Sequence, residues 1–206
     1  MNGDLVTLGK DPVIEDNVVI GRPPDRDIEV NPLVIGDRAR IRSASVLYLC
    51  STIGADLETG HNVLIREQNV IGDGLSIWTG SVIDYGCRLG SRIKIHCMCY
   101  VAQLTEIEDD VFLGPGVMIT NDFHPGCEKL RECMRGPSIR AGAIIGANAT
   151  ILPRVVIGPK AFVGAGSVVV EDVPGGVVVA GNPAKPMKSI NDLKCKTGLT
   201  EVPYEA

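Results

Sequence analysis

Aliphatic residues recur along this chain at every sixth position. Steps of six from Ile35 land on Ile41, Leu47, Ile53, Thr59, Ile65, Ile71, Ile77, Ile83, Leu89, Ile95, Val101, Ile107, Leu113 and Ile119. After a jump of 20 residues the series resumes at Ile139, Ile145, Ile151, Ile157, Val163 and Val169. Twenty of these 21 positions are Ile, Leu or Val, and fourteen of the chain's twenty Ile lie among them. The next residue is often Gly, as at Gly36, Gly54, Gly60, Gly72, Gly90, Gly114, Gly146, Gly158 and Gly164. The residue four places on is often small or aliphatic, as at Ala39, Ser45, Ser51, Val63, Ser81, Cys87, Cys99, Ala143, Ala149, Ala161 and Ser167. A period of six matches neither the 3.6 of a helix nor the 2.0 of a strand. It predicts a prism in which each hexad makes one short strand and one corner, and three hexads complete a coil. Each coil hydrogen-bonds to the coils above and below and is stable only when stacked. The aliphatic side chains point inward, and Gly, Asn and Asp near the corners supply the positive φ of sharp turns.

This repeat divides one domain of 206 residues. Five coils run over 35–119, a polar loop over 120–138 breaks the phase, and two more coils run over 139–173. Residues 1–34 hold a partial coil (Ile14, Val18, Ile20-Gly21) and the turn-rich Arg22-Pro23-Pro24-Asp25-Arg26, which predict an N-terminal cap. The tail, 174–206, leaves the repeat, with a short helix expected near Ser189–Cys195. Long loops inside such regular domains usually carry function. A formal charge of −5 and the lack of a basic stripe argue against nucleic-acid binding. No apolar run approaches the ~20 residues of a membrane span. Met1-Asn2-Gly3-Asp4 does not begin a basic-then-apolar leader, so a cytoplasmic, reducing setting is expected, with the seven Cys as thiols.

The hexads of residues 35–188 resemble the hexapeptide-repeat acyltransferase superfamily. Three segments sharpen the likeness: 107–117 leading into Thr120-Asn121-Asp122-Phe123-His124-Pro125; Ile145-Gly146-Ala147-Asn148-Ala149-Thr150-Ile151-Leu152-Pro153; and Val163-Gly164-Ala165-Gly166-Ser167, followed by Asp172-Val173-Pro174 and Gly181-Asn182-Pro183-Ala184-Lys185. Together they are similar to sugar and nucleotide-amino-sugar O- and N-acetyltransferases. The resemblance implies an all-β, left-handed parallel β-helix; the left hand comes from it alone, since parallel crossovers are normally right-handed. It also implies a homotrimer, acetyl-CoA as co-substrate, and transfer of acetyl to an amino or hydroxyl group of a sugar. Trp78 and Val82, apolar but off the inward grid, fit a subunit contact.

Within that resemblance His124 is the general base, since an imidazole, with an ordinary pKa of ~6.5, takes a proton from an acceptor at neutral pH. A solvated loop histidine is the bland alternative. His96, one step past an inward Ile, together with Asn121 and Asp122 is a candidate for binding the acceptor; His61 reads as a corner residue. Gly142, Ala147 and Ala165 match positions whose backbone meets the pantetheine arm, and small side chains allow that approach. Lys185 and Lys188 match cations that meet the nucleotide phosphates. Two departures stand out: Val170-Glu171 replace a Thr-Lys pair before Asp172, and Arg154 stands where Gly is common. His124, Cys127 and Cys133 fall close together in one loop and have the ligand chemistry of zinc, or are simply a base and two thiols. A γ-type carbonic anhydrase is the rival enzyme, but His61, His96 and His124 are widely separated in sequence and position 101 holds Val. A β-helix scaffold without a cofactor groove is the non-enzymatic rival.

Overall fold

The computed structural model of the chain describes residues 5–204 and is a left-handed parallel β-helix. Its described residues form three sheets, one per face of a triangular prism. Sheet A has eight strands, from Val6–Leu8 to Val156–Ile157; sheet B has ten, from Val13–Ile14 to Ala184–Ser189; sheet C has eight, from Val19–Arg22 to Val168–Val169. Consecutive strands visit A, B and C in turn, so a strand pairs in parallel with the strand one coil away. The register is one full coil: Ile53 faces Ile71, Thr59 faces Ile77, and Ile65 faces Ile83. The chain termini Met1–Asp4 and Glu205–Ala206, and with them the reading of a missing leader, lie outside the described residues.

All grid positions from Ile35 to Val169 are buried, and the small residues four places on form a second inward column. Removing each aliphatic side chain from water contributes about 1.5–3 kcal/mol. The one polar grid residue, Thr59, is also buried, and its hydroxyl accepts the Arg42 amide at 2.9 Å. Buried Ser51 and Ser81 donate to the carbonyls of Arg66 and His96, at 2.9 and 2.7 Å, across the corner of the coil.

Two corner expectations change. The left-handed residue is the third after the inward one, and it need not be Gly, Asn or Asp: Arg38, Ala44, Gln68, Met98, Leu104 and Lys160 all hold φ of 53–61°. Each non-Gly residue there costs about 1–2 kcal/mol. The Gly directly after the inward residue serves a different purpose. A Cβ on Gly146 would lie 2.5 Å from the Ala165 nitrogen, so the spacing of coils at that corner admits no side chain.

The ends differ from a simple cap and tail. Residues 6–22 form a complete first coil, with Leu8, Ile14 and Ile20 stacked on Ile35, Ile41 and Leu47. At the other end Val173 bridges to Ile157, Val177–Gly181 extends sheet B, and Ala184–Ser189 turns back on it as an antiparallel strand. Where a short helix was expected, a 3₁₀ turn covers Ile190–Asp192, and the tail then returns along sheet B until the Tyr204 ring meets Phe162 at 5.6 Å. Among the described residues no helix is long and apolar enough to cross a membrane.

Both breaks in the repeat leave from one edge of the prism. Leu8 faces Ile35 and Ile107 faces Ile139, whereas a regular coil sets Ile53 against Ile71. Nine and fourteen extra residues are therefore extruded, each where sheet C hands over to sheet A. The second extrusion includes a single helical turn, Leu130–Cys133.

Gly146→Ala and Gly166→Ala separate the two corner constraints. At Gly166 the φ is +70° but no atom lies within 4 Å of an added Cβ, so the cost should be about 1 kcal/mol. At Gly146 the overpacking should cost about 3 kcal/mol. Urea unfolding of both variants checks the order, and equal losses would contradict it.

Candidate active site

The long loop begins on the C–A edge, directly after the last strand of sheet C before it, Met118–Ile119. Asn121 is buried at its base, Asp122 is half-buried, and His124 is exposed. The Asp122 carboxylate accepts the His124 backbone amide at 2.9 Å, which bends the chain so that His124 projects from the edge. The loop is closed by the Arg135 amide donating to the Asn121 carbonyl at 2.8 Å. Arg154 accounts for its departure from Gly: it sits in the left-handed corner at φ 58° and donates from Nη2 to the Cys133 carbonyl at 3.0 Å. A strained corner residue thereby ties down the loop.

The nearer extrusion joins the loop on this edge. Arg26 lies 3.7 Å over the Tyr85 ring and reaches the fully buried Glu67 at 3.1 Å. Arg66 meets the same carboxylate at 3.1 Å and Asp84 at 3.2 Å. A cavity of about 570 Å³ opens between the two extrusions, with Asp27, Ile28, Leu104, Leu130 and Met134 in its walls. Sequence reasoning missed Arg26, Arg66, Glu67 and Asp84. The signal for Glu67 was its column of positions one coil apart, Glu67, Tyr85, Gln103 and Asn121, which stacks polar and aromatic groups along the edge that carries both extrusions, with Arg66 and Asp84 in the column beside it.

The groups matched to a cofactor lie elsewhere. Ala147 and Ala165 occupy adjacent turns of the B–C edge, where Gly166 donates to the Ala147 carbonyl at 2.8 Å. Neither the Ala147 nor the Ala165 amide has a hydrogen-bond partner among the described residues, so the edge offers two open donors one coil apart. His96 is on the same edge two coils below, half-buried, with its ring 5.5 Å from Phe112. Gly142 is not with them: it forms the A–B corner at φ 68° and donates to the Asp109 carbonyl at 2.9 Å. Lys185 and Lys188 are exposed on the terminal hairpin of sheet B, and the Lys185 ammonium is 3.9 Å from Glu171. The residue that departs from the family pattern thus partly neutralises the nearest cation.

One chain therefore assembles Asn121, Asp122 and His124 on the C–A edge and Ala147, Ala165 and His96 on the B–C edge. The face between these edges is one hexad wide, about 15–20 Å at ~3.3 Å per residue. Its outer column is largely apolar: Val46, Leu64 and Val82 are half-buried and Met118 is 46% exposed.

Among the described residues no three His, Cys, Asp or Glu side chains converge in a metal-binding group, so His124, Cys127 and Cys133 do not meet as zinc ligands within the chain. His61 is on the B–C edge, bonded to the Ser43 hydroxyl at 2.8 Å.

Residues 136–170 match the family model described as bacterial transferase hexapeptide (six repeats). A 2,3,4,5-tetrahydropyridine-2,6-dicarboxylate N-acetyltransferase of Clostridium perfringens is 46% identical over 92 residues, covering 44% of this chain and 36% of the relative. A serine acetyltransferase of Buchnera aphidicola is 40% identical over 133 residues, covering 57% and 48%. The chain spans less than half the length of these two relatives. Among solved structures, a perosamine N-acetyltransferase from Caulobacter crescentus, in complex with CoA and GDP-perosamine, superposes with a TM-score of 0.56 at 19% identity over 84% of this chain and 97% of that one, a likeness of fold. Residues 136–170 thus carry the repeat of that transferase family, and the chain shares the fold of the solved acetyltransferase.

The thiols differ in reactivity. Burial pushes Cys87 up to about 12, whereas the Thr197 hydroxyl, 3.0 Å from its sulfur, brings Cys195 down to about 6. A lowered value leaves Cys195 mostly thiolate at pH 7, the reactive form. Iodoacetamide at pH 7 should label Cys195 first and spare Cys87 until the protein unfolds. Peptide mass mapping reads the order, and early labelling of Cys87 would contradict it.

Proposed function

We propose that this protein transfers the acetyl group of acetyl-CoA to an amino or hydroxyl group of a small acceptor, a sugar or nucleotide-linked sugar, and does so as a homotrimer. The observation that carries the reading is the division of chemistry between two edges. His124 projects from the C–A edge, while the open amides of Ala147 and Ala165 line the B–C edge. A site that uses both is completed when the C–A edge of one protomer lies against the B–C edge of the next, and repeating that contact around a three-fold axis closes a ring. The apolar outer column of Val46, Leu64, Val82 and Met118, with half-buried Trp78 at the neighbouring corner, suits such a contact. The named activities of the three similar proteins above, all acetyl transfers to small molecules, support the reaction class, and the structure holding CoA supports the donor.

In this reading the His124 imidazole takes the proton from the acceptor's amine or hydroxyl as that atom attacks the thioester carbonyl. The new C–N or C–O bond forms, the C–S bond breaks, and the imidazolium returns its proton to the departing sulfur, so CoA leaves as the thiol. The Ala147 and Ala165 amides hold the pantetheine arm, and an amide on that edge also stabilises the charge that builds on the carbonyl oxygen. Lys185 and Lys188 attract the nucleotide phosphates. Asp122 does not contact the acceptor in this scheme; it orients His124 through the backbone.

His124→Ala should lower kcat by about 10²–10⁴-fold and change both Michaelis constants little, because a general base acts in the transition state. Assay of acetyl-CoA with a panel of sugar amines and alcohols, and of nucleotide-linked forms, checks it; unimpaired turnover would remove His124 from the chemistry. Lys185→Ala and Lys188→Ala should instead raise the KM for acetyl-CoA severalfold, each losing an exposed cation near phosphate. A shift in the acceptor's KM alone would move the cofactor to another edge. Mass in solution tests the shared site, and an active monomer would overturn it.

A further inference from the structure

The C–A edge holds a chain of side-chain hydrogen bonds whose direction is set at one end. Asp84 is 6% exposed, and an ionised carboxylate only accepts. Its Oδ1 accepts the Tyr85 amide at 2.8 Å and faces Arg66 at 3.2 Å. Its Oδ2 accepts the Tyr100 hydroxyl and the Gln103 Nε2, each at 2.7 Å. Burial, reinforced by that bond, raises the Tyr100 hydroxyl well above its usual range, so it stays a neutral donor. With Nε2 committed to Asp84, Gln103 turns its Oε1 the other way, where it accepts Asn121 Nδ2 at 2.7 Å. Asn121 Nδ2 also lies 3.3 Å from the Gln103 backbone carbonyl. The amide of Asn121 is thereby oriented too: nitrogen inward, oxygen outward.

That oxygen is left without a partner. Asn121 is 9% exposed, and no described residue donates to its Oδ1. Among the described residues no side-chain oxygen or nitrogen is both sealed from solvent and unpartnered, so Oδ1 keeps a window to the outside. It sits at the base of the loop, just before His124. An aimed, nine-tenths-buried acceptor with an opening suits a ligand that brings a donor.

We propose that Asp84 is a positioning residue that sets the polarity of the relay Asp84–Gln103–Asn121, so that Asn121 presents Oδ1 to an N–H or O–H of the acceptor. This rests on the acetyl-transfer reading and adds to it the requirement for a donor group on the acceptor at that point.

The polarity makes a prediction that a purely structural cluster would not. Asp84→Asn places an amide nitrogen opposite Gln103 Nε2, two donors face to face. Gln103 relieves the clash by turning over, which makes Asn121 turn over in its wake and point nitrogen outward. Asn121→Asp, alone, keeps an outward oxygen but sets a carboxylate against Gln103 Oε1, since one amide nitrogen cannot serve carboxylates on both sides. Asp84→Asn combined with Asn121→Asp is matched again: Gln103 turns over, donates to the carboxylate introduced in place of Asn121, and an oxygen faces out. The double variant also returns the cluster with Arg26, Arg66 and Glu67 to a net charge of zero.

The expected result is a rise of about tenfold in the acceptor's KM for Asp84→Asn, the loss of one ordinary hydrogen bond, and a smaller rise for Asn121→Asp, whose outward oxygen is kept but pushed out of place by Gln103 Oε1. Both kcat and the KM for acetyl-CoA should stay within about twofold, and the double variant should recover most of the acceptor's KM. A double variant as poor as the worse single one, or effects that fall on kcat or on acetyl-CoA, would overturn the proposal. Gln103→Met interrupts the relay without changing any charge, so an unchanged acceptor KM there would also overturn it should Asp84→Asn fail to fold. Thermal midpoints read the same match without turnover. Recovery in the double variant with no transfer to any acceptor would leave the relay standing and overturn the acetyl-transfer reading; no recovery would overturn the relay.

Discussion

Everything in this molecule depends on the stacking of one coil on the next in a constant register. Each strand of the coils before the terminal hairpin has only two or three paired residues, too few to stand alone, so its backbone groups are satisfied only by the coils above and below. The inward aliphatic column and the ladder of backbone bonds are the same constraint seen from two sides. Any residue that does not fit the register has to leave the prism at a corner, which is why both extrusions project outward and neither disturbs the stack.

The corners carry the strain of that arrangement. A left-handed residue recurs in almost every hexad, and the chain accepts it even at Met98, Leu104 and Lys160. Stacking offsets it collectively, because most corners also hand a backbone amide to the carbonyl of the neighbouring coil, as from Met98 to Thr79 and from Lys160 to Ala141. Where a corner bears Arg154 or Arg92, the side chain adds a tie of its own: Arg154 to the loop carbonyl of Cys133, and Arg92 to Asp109 and Asp110. Strain and function therefore meet at the corners.

Much of the fold was legible because the inward grid takes an aliphatic residue at every position but Thr59. The period of six exposed the coils, the phase jump exposed the long loop, and the small residues at Ala143 and Ser167 exposed the second inward column. The first coil was harder to see because the first extrusion separates Ile20 from Ile35, and the terminal hairpin because Val179 is reached off the grid. The site was less legible. A motif located His124 and the small residues at 147 and 165, but their separation onto two edges is a property of the triangle. Gly142 looked equivalent to Ala147 along the sequence and lies on a different corner in space. The relay through Asp84 and Gln103 escaped notice because hydrogen-bond direction passes from coil to coil, over separations longer than any local motif.

The two extrusions leave the prism at the same edge, and apart from a bulge between Ile20 and Arg22 the paired strands on either side of each keep the common register. In physical terms that edge is a socket. A segment grafted there costs mainly the entropy of closing a loop, which grows slowly with its length. The opposite edge, with its bare amides and close-packed glycines, has no such freedom. Under the proposed acetyl transfer, exchange of the longer segment is thus a route to altering what the site accepts while the ladder assigned to the donor is left as it was.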